Sequence, residues 1–211
     1  MQLTVSRTTS RAAKPDARSL GFGKFFSDHS VLIDWQNDMG WHDARVVPRG
    51  SLELDPATSV LHYGQSVFDG LKAFRTVAGK VVLFRADRHC ARMEAGAARL
   101  CMPALPASDM RSALRTLVRE DADWVPEAPG TSLYLRPVLI ATEPFLGVRA
   151  ARTYLFFIIA SPVGAYYPEG LNPVRIWVER EMVRAARGGL GAVKASANYA
   201  ASLFAAEAAK E

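Results

Sequence analysis

The longest unbroken apolar run in the chain, Tyr154 to Ala160, is seven residues long. That length suits a strand and falls far short of the ~18–20 residues of a membrane-spanning helix. A strand that is apolar at every position expects cover on both faces, which places it inside a sheet and not at its rim. Ser132 to Ala141 reads as a second strand. Shorter strand-like pieces are Val31 to Trp35, Val46 to Val47 and Val81 to Phe84, the first two separated by the turn-rich Gln36 to Gly40. Between Asp87 and Cys101, the residues Cys90, Met93, Ala97, Leu100 and Cys101 recur at helical spacing, and Pro103 closes the pattern. Ser108 is placed to cap a second helix that buries Met110, Leu114, Leu117 and Val118. The mixture points to an α/β (α+β) class.

The chain has 211 residues, of which 49% are hydrophobic and 22% charged, enough for a substantial core. Residues 1–20 are polar and read as an N-terminal arm. Residues 21–162 form the first domain. Residues 163–173, rich in Pro and Gly, read as a connector, and 174–211 as the start of a second domain. In that last stretch Val174, Ile176 and Val178 alternate as a strand, Arg187 to Gly191 is a glycine-rich loop, and Asn198 to Glu211 reads as a helix. The helix has no stop signal, and 174–211 is below the size that usually folds alone. The expectation is that this is part of a longer protein.

Several function classes are disfavoured. Cys90 and Cys101 share one helical pattern, ~16 Å apart at helical rise, too far for a disulfide. Two free thiols, with no apolar segment of a secretory signal, point to a reducing, cytoplasmic setting. His29, His42, His62 and His89 lack metal-ligand spacing, so no metal is expected. The net charge of +5 permits anionic ligands. Arg180, Arg184 and Arg187 would share one face of a helix, but such a face is ordinarily solvated, and no nucleic-acid partner is expected. Gly188 and Lys194 have the separation of a phosphate-binding loop, yet Val193 and Ala195 break its pattern.

Lys194 is one of only six lysines against 20 arginines. Small apolar residues flank it, with no carboxylate within nine positions. An amine buried there would have its charged form disfavoured and could attack a carbonyl. From composition alone, a lysine reaching to solvent is the simpler explanation.

The ordered segments Phe-Ser-Asp-His (26–29), Leu-His-Tyr-Gly-Gln-Ser-Val-Phe-Asp-Gly-Leu-Lys-Ala-Phe (61–74) and Arg-Ala-Asp-Arg-His-Cys-Ala-Arg-Met (85–93) carry more. With them go Trp-Val-Pro (124–126), Thr-Ser-Leu-Tyr-Leu-Arg-Pro (131–137), Glu-Pro-Phe-Leu-Gly-Val (143–148), Ser-Pro-Val-Gly-Ala-Tyr (161–166) and Lys-Ala-Ser-Ala-Asn-Tyr (194–199). In order and spacing the sequence resembles the branched-chain amino acid aminotransferases, fold-type IV enzymes that use pyridoxal 5'-phosphate (PLP). The resemblance runs from about Phe22 to the end. It implies a small N-terminal α/β domain followed by the beginning of a larger cofactor-binding domain. It implies ping-pong transamination of Leu, Ile and Val with 2-oxoglutarate.

The same resemblance implies that Lys194 carries PLP and moves the substrate proton, that Tyr199 meets the cofactor's phenolic oxygen, and that Arg92 binds its phosphate. Tyr134 and Arg136, two apart on a strand and so on one face, would help hold the substrate carboxylate. Phe22, Tyr63, Phe68 and Tyr166 match the side-chain pocket, with Gly70 and Lys72 near it. Leu146 and Val148 match a loop that reaches into a partner subunit's site, which implies a homodimer. Two departures stand out. Ser196-Ala197 replace the usual Gly-Gly, and the acidic partner of the pyridine nitrogen would fall beyond Glu211. The rival readings are a D-amino acid aminotransferase or aminodeoxychorismate lyase of the same fold-type, and a non-catalytic binding or assembly module.

Overall fold

The computed structural model of the chain describes residues 1–165 and 172–209. In chain order the strands are β1 (Thr4–Val5), β2 (His29–Gln36), β3 (Gly40–Pro48), β4 (Ser66–Phe68), β5 (Leu71–Arg75), β6 (Val81–Leu83), β7 (Ser132–Ala141) and β8 (Thr153–Val163). The helices are α1 (Ser59–Tyr63), α2 (Ala86–Arg99), α3 (Ala107–Glu120), α4 (Ser196–Ala200) and α5 (Leu203–Ala208). The strands form one sheet in the order β1-β3-β2-β8-β7-β5-β6, with β4 also pairing on β7. Among these described strands only β1 joins in parallel. This is the mixed α/β class that the pattern of runs predicts.

The apolar run lies in β8, between β2 and β7. Its pairing with β7 is unbroken from Ser132↔Val163 to Ala141↔Tyr154. Because side chains alternate along a strand, that register sorts every residue to one face. Tyr154, Phe156, Ile158 and Ala160 fall on the face buried in the main core. From β7 the same face receives Leu133, Leu135 and Leu139. The core also takes Cys90, Met93 and Ala97 of α2 and Met110, Leu114 and Leu117 of α3. Each large side chain buried there contributes ~1.5–3 kcal/mol. The opposite face of β8 carries Leu155, Phe157 and Ile159, of which the last two are only half-buried. Cover on both faces is therefore met on one side in full and on the other in part.

α2 buries Cys90, Met93 and Ala97 as the periodicity predicts but ends at Arg99, so that Leu100 is half-buried and Cys101, beyond the helix at positive φ, is exposed. α3 differs at its start. Ser108 lies inside it, Pro106 precedes the first helical residue, and no side chain of that position caps it. The Ala107 N–H donates instead to the Glu94 carboxylate of α2 at 2.7 Å, so a neighbouring helix supplies the acceptor. The predicted strand at Val174, Ile176 and Val178 is absent; those residues carry no regular structure and are exposed. Alternation alone does not make a strand without a neighbour to pair with. No helix spans Arg180, Arg184 and Arg187, so the shared basic face does not form. The C-terminal helix starts earlier than predicted and is split into α4 and α5. At the break the Ser202 hydroxyl donates to the Tyr199 carbonyl at 2.8 Å, a local bond that competes with the helix. Residues 210–211, the end of the predicted helix, lie outside the described residues. Both cysteines are free thiols. Burial pushes the Cys90 thiol up to about 11. Among the described residues no helix is long and apolar enough to cross a membrane.

The N-terminal arm is tied down. Arg7 pairs with Glu120 at 2.7 Å, and Arg11 and Lys14 both reach Asp123. The Thr8 N–H donates to His29 Nε2, and His29 Nδ1 meets the buried Asp121 at 2.6 Å. Hydrogen bonding to Arg7 holds the Glu120 carboxyl below its ordinary value. Burial would raise Asp123, but Lys14 and Arg11 outweigh it and lower that carboxyl too.

Phe156→Ala should cost ~3–5 kcal/mol of unfolding free energy in denaturant melts, and Phe157→Ala, on the half-covered face, less than half as much. Carboxylates depressed by folding stabilise fully above their unfolded values and lose that contribution as pH falls through the folded ones. The protection factors of the Ser6 and Thr8 amides, corrected for the intrinsic pH dependence of exchange, should therefore fall as pH drops below the ordinary carboxylate range, before β7 and β8 lose protection.

Candidate active site

The face of β7 that points away from the core carries Tyr134, Arg136 and Val138, because Leu133, Leu135 and Leu139 occupy the other. β4 and β5 pair with β7 so that Phe68 lies opposite Val138 and Lys72 opposite Tyr134. The segment after the glycine-rich loop then docks on β4. The Phe68 N–H donates to the Lys194 carbonyl at 3.1 Å, and Val67 bridges to Ala195. The Ser196 hydroxyl donates to that of Ser66 at 3.0 Å. Asn198, buried, donates to the carbonyls of Leu190 and Val193 at 2.8 Å each, which closes the turn that presents Lys194.

These contacts enclose a cleft of about 680 Å³ lined by Phe22, Phe68, Lys72, Tyr134, Arg136, Val138, Lys194, Ser196 and Tyr199. Seven of the residues singled out from the sequence are thus brought together. Lys194 is half-buried, not enclosed. Its Nζ hydrogen-bonds the Tyr199 hydroxyl. It lies 4.7 Å from the centre of the Phe68 ring and 4.8 Å from that of Tyr199, where an ammonium is held by the ring faces. Arg136 stacks on Phe68 at 4.6 Å, and its Nε and Nη2 donate to the Tyr134 hydroxyl at 3.1 and 3.0 Å. That leaves the Nη1 edge of a fixed guanidinium to meet an anion. Phe22 packs edge-on against Tyr134 at 4.9 Å.

Gly70 stands behind Tyr134. A Cβ built there would lie 1.9 Å from the tyrosine hydroxyl, so only glycine admits this approach. Arg92, on α2, does not line the cleft wall and connects to it through Asp69, the residue that follows Phe68. Its guanidinium pairs with Asp69 at 2.6 and 2.7 Å, and Asp69 also accepts from His89. The hydrogen bond to Asp69 raises the Arg92 pKa further, and Tyr199 and Tyr134 act on it in the same direction. Tyr63 and Leu146 lie outside the cleft and meet each other, the tyrosine hydroxyl donating to the Leu146 carbonyl. Leu146 and Val148 are 60% and 84% exposed. Tyr166 lies outside the described residues.

Sequence reasoning passed over Asp69, Asn198 and Ser66. Asp69 sits in the quoted Val-Phe-Asp-Gly run, and an acidic residue flanked by apolar ones is a signal that burial with a partner is to come. An amine, a hydroxyl, two guanidinium groups and a stacking ring make a donor set that fits a flat, phosphorylated aldehyde cofactor. Among the described residues no cluster of His, Cys, Asp or Glu could hold a metal ion.

Residues 66–211 match the sequence model of the class IV amino-transferases. The chain is 48% identical over 209 residues to branched-chain-amino-acid aminotransferase 2 of Bacillus subtilis strain 168, with 99% of this chain and 58% of that protein covered. It is 50% identical over 216 residues to branched-chain-amino-acid aminotransferase of Mycobacterium tuberculosis H37Rv, covering all of this chain and 59% of that one. It spans little more than half the length of these relatives. The branched-chain aminotransferase of Thermoproteus uzoniensis, solved with norvaline, superposes with a TM-score of 0.66 at 23% identity, over 83% of this chain and 55% of that one. At that identity the likeness shows a shared fold.

Gly70→Ala should push Tyr134 aside, lower stability by ~1–3 kcal/mol and release Arg136 from its acceptor. A melt reads the first, and a crystal structure showing Tyr134 and Arg136 unmoved would contradict the second.

Proposed function

This chain belongs to the class IV amino-transferases, and from that premise we propose that its protein moves amino groups between branched-chain L-amino acids and 2-oxo acids with PLP as cofactor. One observation carries the reading: Lys194 Nζ, held against the Tyr199 hydroxyl over the Phe68 ring, faces the same cleft as Arg136. The names of the relatives support the substrate class. Two solved structures of one branched-chain amino acid aminotransferase of the same fold, one with a phosphopyridoxyl-glutamate and one with pyridoxamine phosphate, support the cofactor.

When bound, PLP supplies an electron-poor ring that makes the substrate's Cα–H bond easier to break. The residues of this chain would contribute as follows. Lys194 Nζ would hold the cofactor and, once displaced by substrate, carry the proton to and from Cα. The Tyr199 hydroxyl would orient that amine. Arg92 would take the phosphate through a bidentate fork, which a lysine could not reproduce. Arg136, fixed by Tyr134 and Phe68, would bind the substrate carboxylate. Phe22 and Phe68 would offer apolar cover to a branched side chain, where each buried methylene is worth ~0.8 kcal/mol.

The reading includes a ping-pong exchange with 2-oxoglutarate as amino acceptor. It includes a homodimer, which the exposed Leu146 and Val148 support as side chains awaiting a partner. A cytoplasmic site accords with the two free thiols.

Lys194→Ala in the full-length protein tests the assignment. It should abolish the visible cofactor band that borohydride removes from the wild type. Turnover of Leu, Ile and Val should fall by at least the ~10²–10⁴-fold that a lost acid–base group costs. A variant that keeps both the band and the turnover would refute it.

A further inference from the structure

Asp69 lies in the short link between β4 and β5, and none of its surface is exposed. An ionised carboxylate in such a place is costly unless it is fully partnered. Both of its oxygens have partners. Oδ2 accepts from Arg92 Nε at 2.6 Å. Oδ1 accepts from Arg92 Nη2 at 2.7 Å, from His89 Nδ1 at 2.8 Å and from the Gly70 N–H at 2.6 Å. Burial pushes the carboxyl up, yet the hydrogen bonds from Arg92, His89 and Gly70 outweigh it and leave it below the ordinary value.

The pairing is lopsided. The Arg92 side chain is 51% exposed while Asp69 is sealed. Ion pairs with an exposed partner contribute little stability, so stability is a weak reason to bury this charge. What the contact does is geometric. It grips one edge of the guanidinium, Nε and Nη2, leaves Nη1 outside the pair, and ties the arginine to the chain neighbour of Phe68 in the cleft wall. A free arginine on a helix surface carries ~2 kcal/mol of rotamer entropy, part of which binding would otherwise have to remove. The negative charge of Asp69 opposes an incoming anion, so any gain has to come through orientation.

We infer that Asp69 is a positioning residue: it fixes Arg92 on α2, with His89 alongside, so that the outer guanidinium edge meets a phosphate monoester in the cleft. This rests on the proposed cofactor, whose phosphate is that group.

The test compares PLP with pyridoxal, which lacks the phosphate, in equilibrium binding to the full-length protein. Asp69→Asn should raise the Kd for PLP at least tenfold and change that for pyridoxal less than threefold. Added to Arg92→Ala it should cost almost nothing more, because the two act as one unit. Equal losses for both ligands would mean that Asp69 only supports the scaffold, and an unchanged PLP affinity would mean that it does not position Arg92. Either result overturns the inference. If Asp69→Asn gives no cooperative melt, Asp69→Glu decides in the same comparison, since it keeps the charge but moves the carboxylate out by one methylene and so shifts the guanidinium it grips. A loss confined to PLP supports the inference, and any other result overturns it. A wild-type protein with no borohydride-sensitive band sinks this inference together with the proposed function, whereas a normal wild type with an unaffected Asp69→Asn sinks this inference alone.

Discussion

The register between β7 and β8 is the constraint on which the rest of the molecule depends. It runs unbroken from Ser132↔Val163 to Ala141↔Tyr154. A slip of one residue would turn Leu133 and Leu135 out of the core and drive Tyr134 and Arg136 into it, burying a guanidinium against apolar side chains. The same alternation that builds the core therefore sets out the cleft. Packing and chemistry are two faces of one strand pair, and the core face supplies the rigidity that the other face needs.

Only part of the cleft comes from that pair. Phe68 and Lys72 arrive on short strands that dock against β7, and Lys194 arrives from far along the chain on a turn closed by Asn198. The backbone bond from Phe68 to Lys194 and the Val67–Ala195 bridge join the two contributions. Ser196, which replaces a usual glycine of the family it resembles, uses its added hydroxyl to bond Ser66. The extra side chain is thereby an attachment point at the cleft wall. Electrostatics follows the same division. Arg136 is held from the cleft side by an aromatic ring and a phenol, and Arg92 from the protein side by a sealed carboxylate.

Legibility in the sequence followed the length and the periodicity of each segment. β7 and β8 were readable because their apolar pattern is long, and α2 because Cys90, Met93 and Ala97 repeat at its period. β4 and β5 were not, since three to five residues carry little periodic signal and their pairing is decided by β7. Val174, Ile176 and Val178 show the reverse error, a clean alternation with no strand beside it. At the cleft, Lys194 and Tyr199 stood out through their motif, whereas Asp69 and Asn198 act through partners distant in sequence and emerged only once those partners were placed.

The central claim is that Lys194, of the two lysines lining the cleft, is the one that takes the cofactor. The most direct measurement is reduction of the full-length protein with borohydride in the presence of PLP, followed by digestion and peptide mass mapping. A pyridoxyl group found on the peptide bearing Lys194, with Lys72 unmodified, is the expected result. A label on Lys72 in place of Lys194, or spread evenly over the exposed lysines, would contradict the account.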